Sequence, residues 1–524
     1  MSAASSLWPL LLLLPLLRSS GESPRNSEEP SIRQFPGYSN IPEKWGDDSR
    51  MKRKPWPPPP AYNHTVKELG ATRTLSKCEQ RCMRYRNHEV SPVSGWSLCQ
   101  SFTWVADTGR CVCIVDPWGW EPRKITDRRT ISGVITWSPR RCSSEADCSY
   151  NGVCTNSLCE CGAAWYGDRC QLLHLLPATR NTGLRIIDKG GHNTSTWGGS
   201  VIFDQASNVS HMWAAEMSHN CGLDTWTTNS RIVHATSSVP NGNYTRQSLV
   251  VPAFAHEPNV VRAPSGEFVM YYTASFPDDP PPEACMACTD GSTPADAECP
   301  GGPAGDGPTY MIYAKEPHGP WSKPQQLFNS QTNFTNLDTN LALVILPNNS
   351  VVGIARNEGP PTTDLTHLVT AEDWRDPESY KGRWTTLLFP NATVVDKRGV
   401  EDPFLYVDKR GVYHAVFHNQ IENDDMRLCG GHAYSVDGLT WVFTGTSWGN
   451  RVRFSDGTTY TFSRRERPHF VFGDPKDPYK ITALTTGVQY GAHAPISITG
   501  EDGCYTLLQP VNQVEPGRRA AAGH

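Results

Sequence analysis

The chain has 524 residues, too many for one ordinary hydrophobic core, so several modules are expected. Its 48 Lys and Arg against 53 Asp and Glu leave a formal net charge of -5, and the longest basic run is Lys52-Arg53-Lys54. That balance excludes nucleic acid, or any strongly acidic surface, as a partner chosen by charge.

Residues 1–20 carry an apolar run from Leu7 to Leu17, followed by Ser19-Ser20-Gly21. The run is too short to span a bilayer comfortably and reads as a signal peptide; an N-terminal membrane anchor is the alternative. Seventeen cysteines fit an oxidising compartment, as do Asn-x-Ser/Thr sequons at Asn63, Asn193, Asn208, Asn243, Asn333, Asn348 and Asn391. A secreted, extracellular glycoprotein is therefore expected.

Residues 21–60 read as a polar linker ending in four prolines, a stiff extended spacer. Residues 61–137 hold five cysteines. Cys78 and Cys82 lie four apart, on one face of an expected helix, and Cys99 opens a strand with Phe102 and Trp104 on one side. Two bridges from helix to strands would staple so small a core. These motifs resemble the PAN/apple module, which implies adhesion to proteins or sugars; an unrelated disulfide domain is the alternative.

From 142 to 170 the cysteines follow a sharper pattern, Cys142-x5-Cys148-x5-Cys154-x4-Cys159-x-Cys161-x8-Cys170, closing on Trp165-Tyr-Gly167-Asp-Arg-Cys170. Spacing alone leaves many pairings open. The pattern resembles the epidermal-growth-factor-like (EGF-like) module, and that resemblance implies Cys142–Cys154, Cys148–Cys159 and Cys161–Cys170. Ser138-Pro-Arg-Arg141 stands where the calcium-binding variant needs acidic residues, so no calcium is expected there. The module is read as a spacer or binding unit, with a matrix or cell-surface protein as its partner.

The stretch 175–510 is expected to be mainly β, with 511–524 a tail. Short apolar, β-branched runs are separated by Gly, Pro, Asn and Asp. One kind of segment, strand–turn–strand, begins near Gly198, His256, Thr339, Val400 and Arg465. A second kind, a strand ending in a tight turn and an aromatic, recurs at 234–244, 313–321, 370–380 and 434–441. The period is about sixty residues, apart from one step lengthened by the Pro/Gly-rich stretch 280–307, and it points to a five-bladed β-propeller. Within that insertion Cys285-Met-Ala-Cys288 reads as disulfide chemistry rather than zinc, so no metal site is assigned.

In such a fold the first residues of each innermost strand converge on a funnel. Here they are Gly199, Glu257, Asn340 with Asp338, Glu401 with Asp402, and Glu466 with Arg467. Carboxylates meeting in one funnel can supply the acid and the base of glycoside hydrolysis, because crowding drives their pKa values apart. Trp197, Trp213, Trp226 and Tyr272 could stack on sugar rings, with His256 and Arg467 as polar substrate contacts. The alternative gives Glu401 and Asp402 structural ion pairs with Arg467 or Arg356, and Glu466 a solvated or ion-paired place. No cofactor is required. His414, His418 and His432 could reach a structural calcium or other ion on the axis, although most read as ordinary strand residues. Asp437-Gly438 reads as a turn.

The patterns His256-Glu-Pro-Asn-Val-Val-Arg262 and Glu401-Asp-Pro-Phe-Leu-Tyr406, with the recurrent Gly-Pro-Trp and Asp-Gly-x-x-Trp hairpins, resemble the five-bladed propellers of glycoside hydrolase family 43 and its relatives. The resemblance spans about 190–490. It implies a glycosidase of the inverting type acting on polysaccharide or glycoprotein glycans, with Glu401 as general acid and Glu257 where a pKa-tuning Asp is expected. The family's base Asp is replaced by Gly198-Gly199-Ser200, and Asp204 lies four residues further on, at a different depth. Asp338 or Glu257 takes the base role, or no residue does. In that last case the chain is a catalytically inactive glycan-binding or adhesive protein, or a purely structural matrix protein.

Overall fold

A computed structural model describes residues 31–36, 38–39, 66–84, 101–108, 110–114, 123–124, 130–136, 141–187, 191, 193–274, 284–285, 308–328, 340–359, 362–384, 400–419, 429–490 and 503–513. The expected signal peptide, the proline run, Asp338 and the side chain of Arg356 lie outside the described residues. None of the described helices is long and apolar enough to cross a membrane.

Five four-stranded antiparallel sheets succeed one another along the chain. Their first strands are Thr196–Asp204, Ala255–Arg262, Leu341–Ile345, Val400–Val407 and Arg464–Asp474. Each first strand packs against the next, and the last packs against the first. In the fifth sheet the outermost strand comes from the other end of the chain: Gly183–Leu184 pairs with Tyr505–Pro510. This joint ties the two ends of the sheet-forming region together.

Side-chain alternation explains why the middle strands are apolar throughout rather than amphipathic. In Phe268–Ala274, Val269 and Tyr271 pack towards the third sheet, whereas Phe268, Met270 and Tyr272 pack towards the first. In Tyr413–Asn419, Ala415 and Phe417 face the third sheet and Val416 faces the fifth. Both faces are buried, so the period-2 contrast between apolar and polar residues disappears.

Two sequence expectations are corrected in the N-terminal part. Within the stretch read as a linker, Ser31–Pro36 is an edge strand pairing with Thr130–Thr136. Ile32 and Phe35 suit a strand, and Pro36 is tolerated because it ends the strand at the sheet edge. Helix Leu75–Arg84 does present Cys78 and Cys82 to the strands, but only Cys78 is bridged from it, to Cys111. Cys82 is a buried thiol with its Sγ 4.0 Å from that of Cys111, which can bond only one partner. Burial pushes the Cys82 thiol up to about 12.

Residues 142–170 carry the bridges Cys142–Cys154, Cys148–Cys159 and Cys161–Cys170. This unit is no free spacer. Trp165 enters the apolar layer between the fourth and fifth sheets, with its ring centroid 4.9 Å from that of His432 and 6.1 Å from Phe470. Arg410 donates to the carbonyls of Tyr150 and Gly152 and pairs with Glu145 at 3.1 Å. His432 is buried and held well below the usual imidazole range, first by burial and then by His414, so its face against Trp165 is neutral. Trp165→Ala should cost about 3–5 kcal/mol. It should also speed hydrogen exchange in residues 142–170 ahead of the five sheets; unchanged exchange in that unit would contradict the packing described.

Candidate functional site

Four of the five first strands break their pairing at one corresponding place. The register slips between Trp197 and Ser200, His256 and Asn259, Glu401 and Phe404, and Glu466 and His469. Inside each slip one residue is left-handed: Gly198 (φ 66°), Glu257 (φ 59°), Asp402 (φ 52°) and Arg467 (φ 55°). The residue after it is Gly199, Pro258, Pro403 or Pro468, and proline, which has no N–H to give the ladder, is at home in a bulge. The bulge re-aims the left-handed residue towards the middle. Asn340, just before the third sheet's first strand, joins the same ring, and together these five positions line one cavity.

The ring is held by charge. The Arg467 guanidinium binds Glu257 through Nη2 and approaches Asp402 Oδ1 through Nη1 at 3.3 Å, while the Arg467 backbone N–H donates to Asp402 Oδ2 at 3.2 Å. Asn340 Nδ2 donates to Glu257 Oε1 at 3.3 Å, and Asn340 Oδ1 accepts from the Asp402 N–H at 2.6 Å. The side chains of Glu257 and Asp402 are only 6% and 3% exposed. Burial drives the Asp402 carboxyl well above the usual carboxylate range; Arg467 opposes this, and Glu401 and Glu257 add to it.

Glycine at 198 is a steric requirement as well as a conformational one. A Cβ there would lie 2.9 Å from Cβ of Arg467. The arginine thus fills the room that a first-sheet side chain would need, and the cavity that remains is about 50 Å³. That holds a few waters, whereas small-molecule sites run to roughly 300–1,000 Å³.

The expected site residues separate into three groups. Glu257, Asp402, Arg467 and Asn340 converge. Glu401 turns away from the guanidinium to His418 Nδ1 at 2.5 Å and stays 20% exposed. Burial alone would depress His418, but the hydrogen bond to Glu401, with Glu466, raises it to about 9. Glu401, Asp402 and His418 offer three donor atoms within 4.8 Å of one another, two of them already spent on that hydrogen bond. Glu466 is half-buried near this pair. Of the sugar-stacking candidates, Trp197, Trp213 and Tyr272 are core residues, at most 2% exposed, so only the half-buried Trp226 has a face to offer. Trp197 lies against the Gly487 backbone, where a Cβ would come within 2.5 Å of the indole. His256 is buried too, with Nδ1 at 2.5 Å from Ser230 Oγ, and it packs on Trp226. Asp204 sits at the far end of its strand, bound to Ser207 and Arg262. Asp437 accepts from the N–H groups of Leu439 and Thr440 in a turn. Cys285 is bridged to Cys221; Cys288 lies outside the described residues.

Sequence reasoning placed the inward residue of the first sheet at Gly199 and gave Glu401 precedence over Asp402. The useful signal was the residue before each proline, in Glu257-Pro258, Asp402-Pro403 and Arg467-Pro468. The partnership of His418 with Glu401 carried no sequence signal, because the two lie on different strands and meet only through the register of the fourth sheet.

No protein-family model and no curated protein matches the chain. Among solved structures, it is similar to a family 117 glycoside hydrolase of the marine bacterium Zobellia galactanivorans (12% identity, 65% of this chain and 91% of that one, TM-score 0.41). It is also similar to an α-L-arabinofuranosidase of Podospora anserina (11%, 66% and 98%, TM-score 0.42) and to a thermostable family-43 glycoside hydrolase (13%, 66% and 100%, TM-score 0.40). Likenesses this remote transfer no residue role to this chain.

Arg467→Met, which strands two buried carboxyls, should lower stability by about 3–5 kcal/mol. Gly198→Ala should cost about 1–3 kcal/mol through its left-handed φ and the contact with Arg467. Thermal melts that leave either variant at wild-type stability would contradict the network. His418 also makes stability depend on pH. Its folded pKa of about 9 lies above the unfolded value near 6.5, so its contribution, about 3 kcal/mol, is fully present below pH 6.5 and is lost as pH rises through 9. Melts of wild type and His418→Gln between pH 6 and 10 should converge as pH rises; parallel curves would refute the pairing.

Proposed function

We propose that the chain is an extracellular glycan-recognising protein built on a five-bladed β-propeller of the glycoside hydrolase type, with hydrolysis lost. The five sheets are its blades, and Gly183–Leu184, ahead of the first blade in the chain, completes the last one. Residues 142–170 act as an EGF-like module and 61–137 as a PAN/apple-like module, so that adhesive units flank the propeller. The disulfides suit an oxidising, extracellular setting. Polysaccharides or glycoprotein glycans are the ligand class, from the motifs around Glu257-Pro258 and Glu401-Asp402-Pro403. Glu401, partly exposed, and Trp226 are the groups left to meet them.

The observation that carries this reading is Arg467. An acid–base pair for glycoside hydrolysis needs two carboxyl groups free to act on opposite sides of a sugar, roughly 5–9.5 Å apart. Here the position of the missing base is Gly198, its space belongs to Arg467, and that arginine holds the two remaining axial carboxyls. A second reading, retained hydrolysis, draws on one feature: burial raises the Asp402 carboxyl well above the usual carboxylate range, the direction a general acid requires.

Polysaccharides rich in arabinose, xylose or galactose would be presented to the full chain, and binding measured beside release of reducing sugar. Binding without release is expected, weakened by Glu401→Gln. Sugar release by wild type that is abolished in Asp402→Asn would overturn the binding-only reading in favour of hydrolysis, and absence of binding to the whole panel would remove glycans as the ligand.

A further inference from the structure

Four of the seven sequons fall on described residues, and their surroundings differ. Asn208-Val209-Ser210 begins in the turn between the first and second strands of the first sheet, where Asn208 is exposed with φ 55°. Asn243-Tyr244-Thr245 lies between the third and fourth strands of that sheet. Asn243 is exposed, while the Tyr244 ring is buried and its hydroxyl contacts Ser210 Oγ at 2.6 Å. Asn348-Asn349-Ser350 forms the turn between the first and second strands of the third sheet. Asn348 is exposed, and its Oδ1 accepts from the Ser350 N–H at 3.2 Å and hydroxyl at 2.7 Å. That arrangement engages the oxygen of the amide, on an exposed residue.

Asn193-Thr194-Ser195 is different. Its Nδ2 donates to the Cys504 carbonyl at 3.2 Å and its Oδ1 accepts from Arg185 Nε at 3.5 Å. An oligosaccharide on that nitrogen would break the bond to Cys504 and enter packed structure.

The three exposed sequons also share a side. The axial cavity lies at the starts of the first strands, at Gly198, Glu257, Asn340, Asp402 and Arg467. Residues 208 and 348 follow the opposite ends of first strands, Thr196–Asp204 and Leu341–Ile345. The ladder puts Asp204 beside Val209, Ser210 beside Ser237, and Thr236 beside Thr245, so residue 243 belongs to that same opposite end.

We propose that Asn208, Asn243 and Asn348 carry N-linked oligosaccharides, all on the face opposite the axial cavity, and that Asn193 stays bare. The donor class is a polyprenyl-diphosphate-linked oligosaccharide. A bond forms between the Asn Nδ2 and the sugar C1, the C1–O bond to the diphosphate breaks, and the amide proton departs as the polyprenyl diphosphate leaves. Sugar on that face leaves the axial mouth uncovered and keeps one side of the molecule hydrophilic, so macromolecular partners approach from the mouth or the edge. The inference stands independently of what the mouth recognises.

The full chain, secreted from a eukaryotic host, would be deglycosylated by peptide N-glycosidase in heavy-oxygen water and its peptides read by mass spectrometry. Heavy-oxygen aspartate at 208, 243 and 348, with unmodified Asn193, is the expected result. Occupancy at Asn193, or a bare asparagine at any of the other three positions, would overturn the assignment. A second readout is gel mobility: Ser210→Ala, Thr245→Ala and Ser350→Ala should each remove one glycan's worth of mass and Ser195→Ala none, and the reverse pattern would also overturn it.

Discussion

One guanidinium serving two buried carboxyls is the interaction around which the centre of the molecule is arranged. Arg467 reaches Glu257 of the second sheet and Asp402 of the fourth from its own place on the fifth. Burying these three groups is costly, and their mutual attraction offsets the cost only with good geometry and further hydrogen bonds. Asn340 supplies these, donating to Glu257 and accepting from the Asp402 backbone. Four sheets are thereby linked through side chains at one point. The first sheet joins through absence, since only a residue without Cβ leaves room for the arginine.

Around that centre the sheets are held by a different force. Each neighbouring pair shares an apolar layer: Trp213 and Met270 lie in one, Tyr271 and Leu343 in another, Ile354 and Phe417 in a third, Phe404 and Phe470 in a fourth, Met212 and Val471 in the fifth. These contacts are non-directional and tolerate some sliding. The directional ion pairs and the bulges fix how far each first strand can slide. Residues 142–170 add to one layer only, where Trp165 fills space between the fourth and fifth sheets.

How much of this could be read from the chain depended on the range of the interaction concerned. Strand–turn–strand segments such as Glu267-Phe-Val-Met-Tyr-Tyr272 announce themselves through local composition, and each supplies strands of one of the five sheets. The residues before Pro258, Pro403 and Pro468 were local as well. Their inward aim was not, because it comes from a register slip between two strands. Aromatic side chains misled for a related reason: Trp197, Trp213 and Tyr272 look like sugar platforms in a list of residues, yet strands buried on both faces need large apolar groups too. Gly183–Leu184 could not be found at all, since two residues have no periodicity and their partner lies more than 300 positions away. The second helix-to-strand bridge does not form: Cys82 lies beside Cys111, which is already taken by Cys78.

Gly198 and Arg467 are also coupled to each other. A carboxylate introduced at 198 alone would need φ near 66° on a residue with Cβ and would collide with the arginine, so it would be strained before it could act. Removing the arginine alone would leave Glu257 and Asp402 as two buried carboxyls without a cation. Each single change is therefore unfavourable in the background of the other residue. The two positions are coupled through one small volume, so the costs of changing Gly198 and Arg467 should not add.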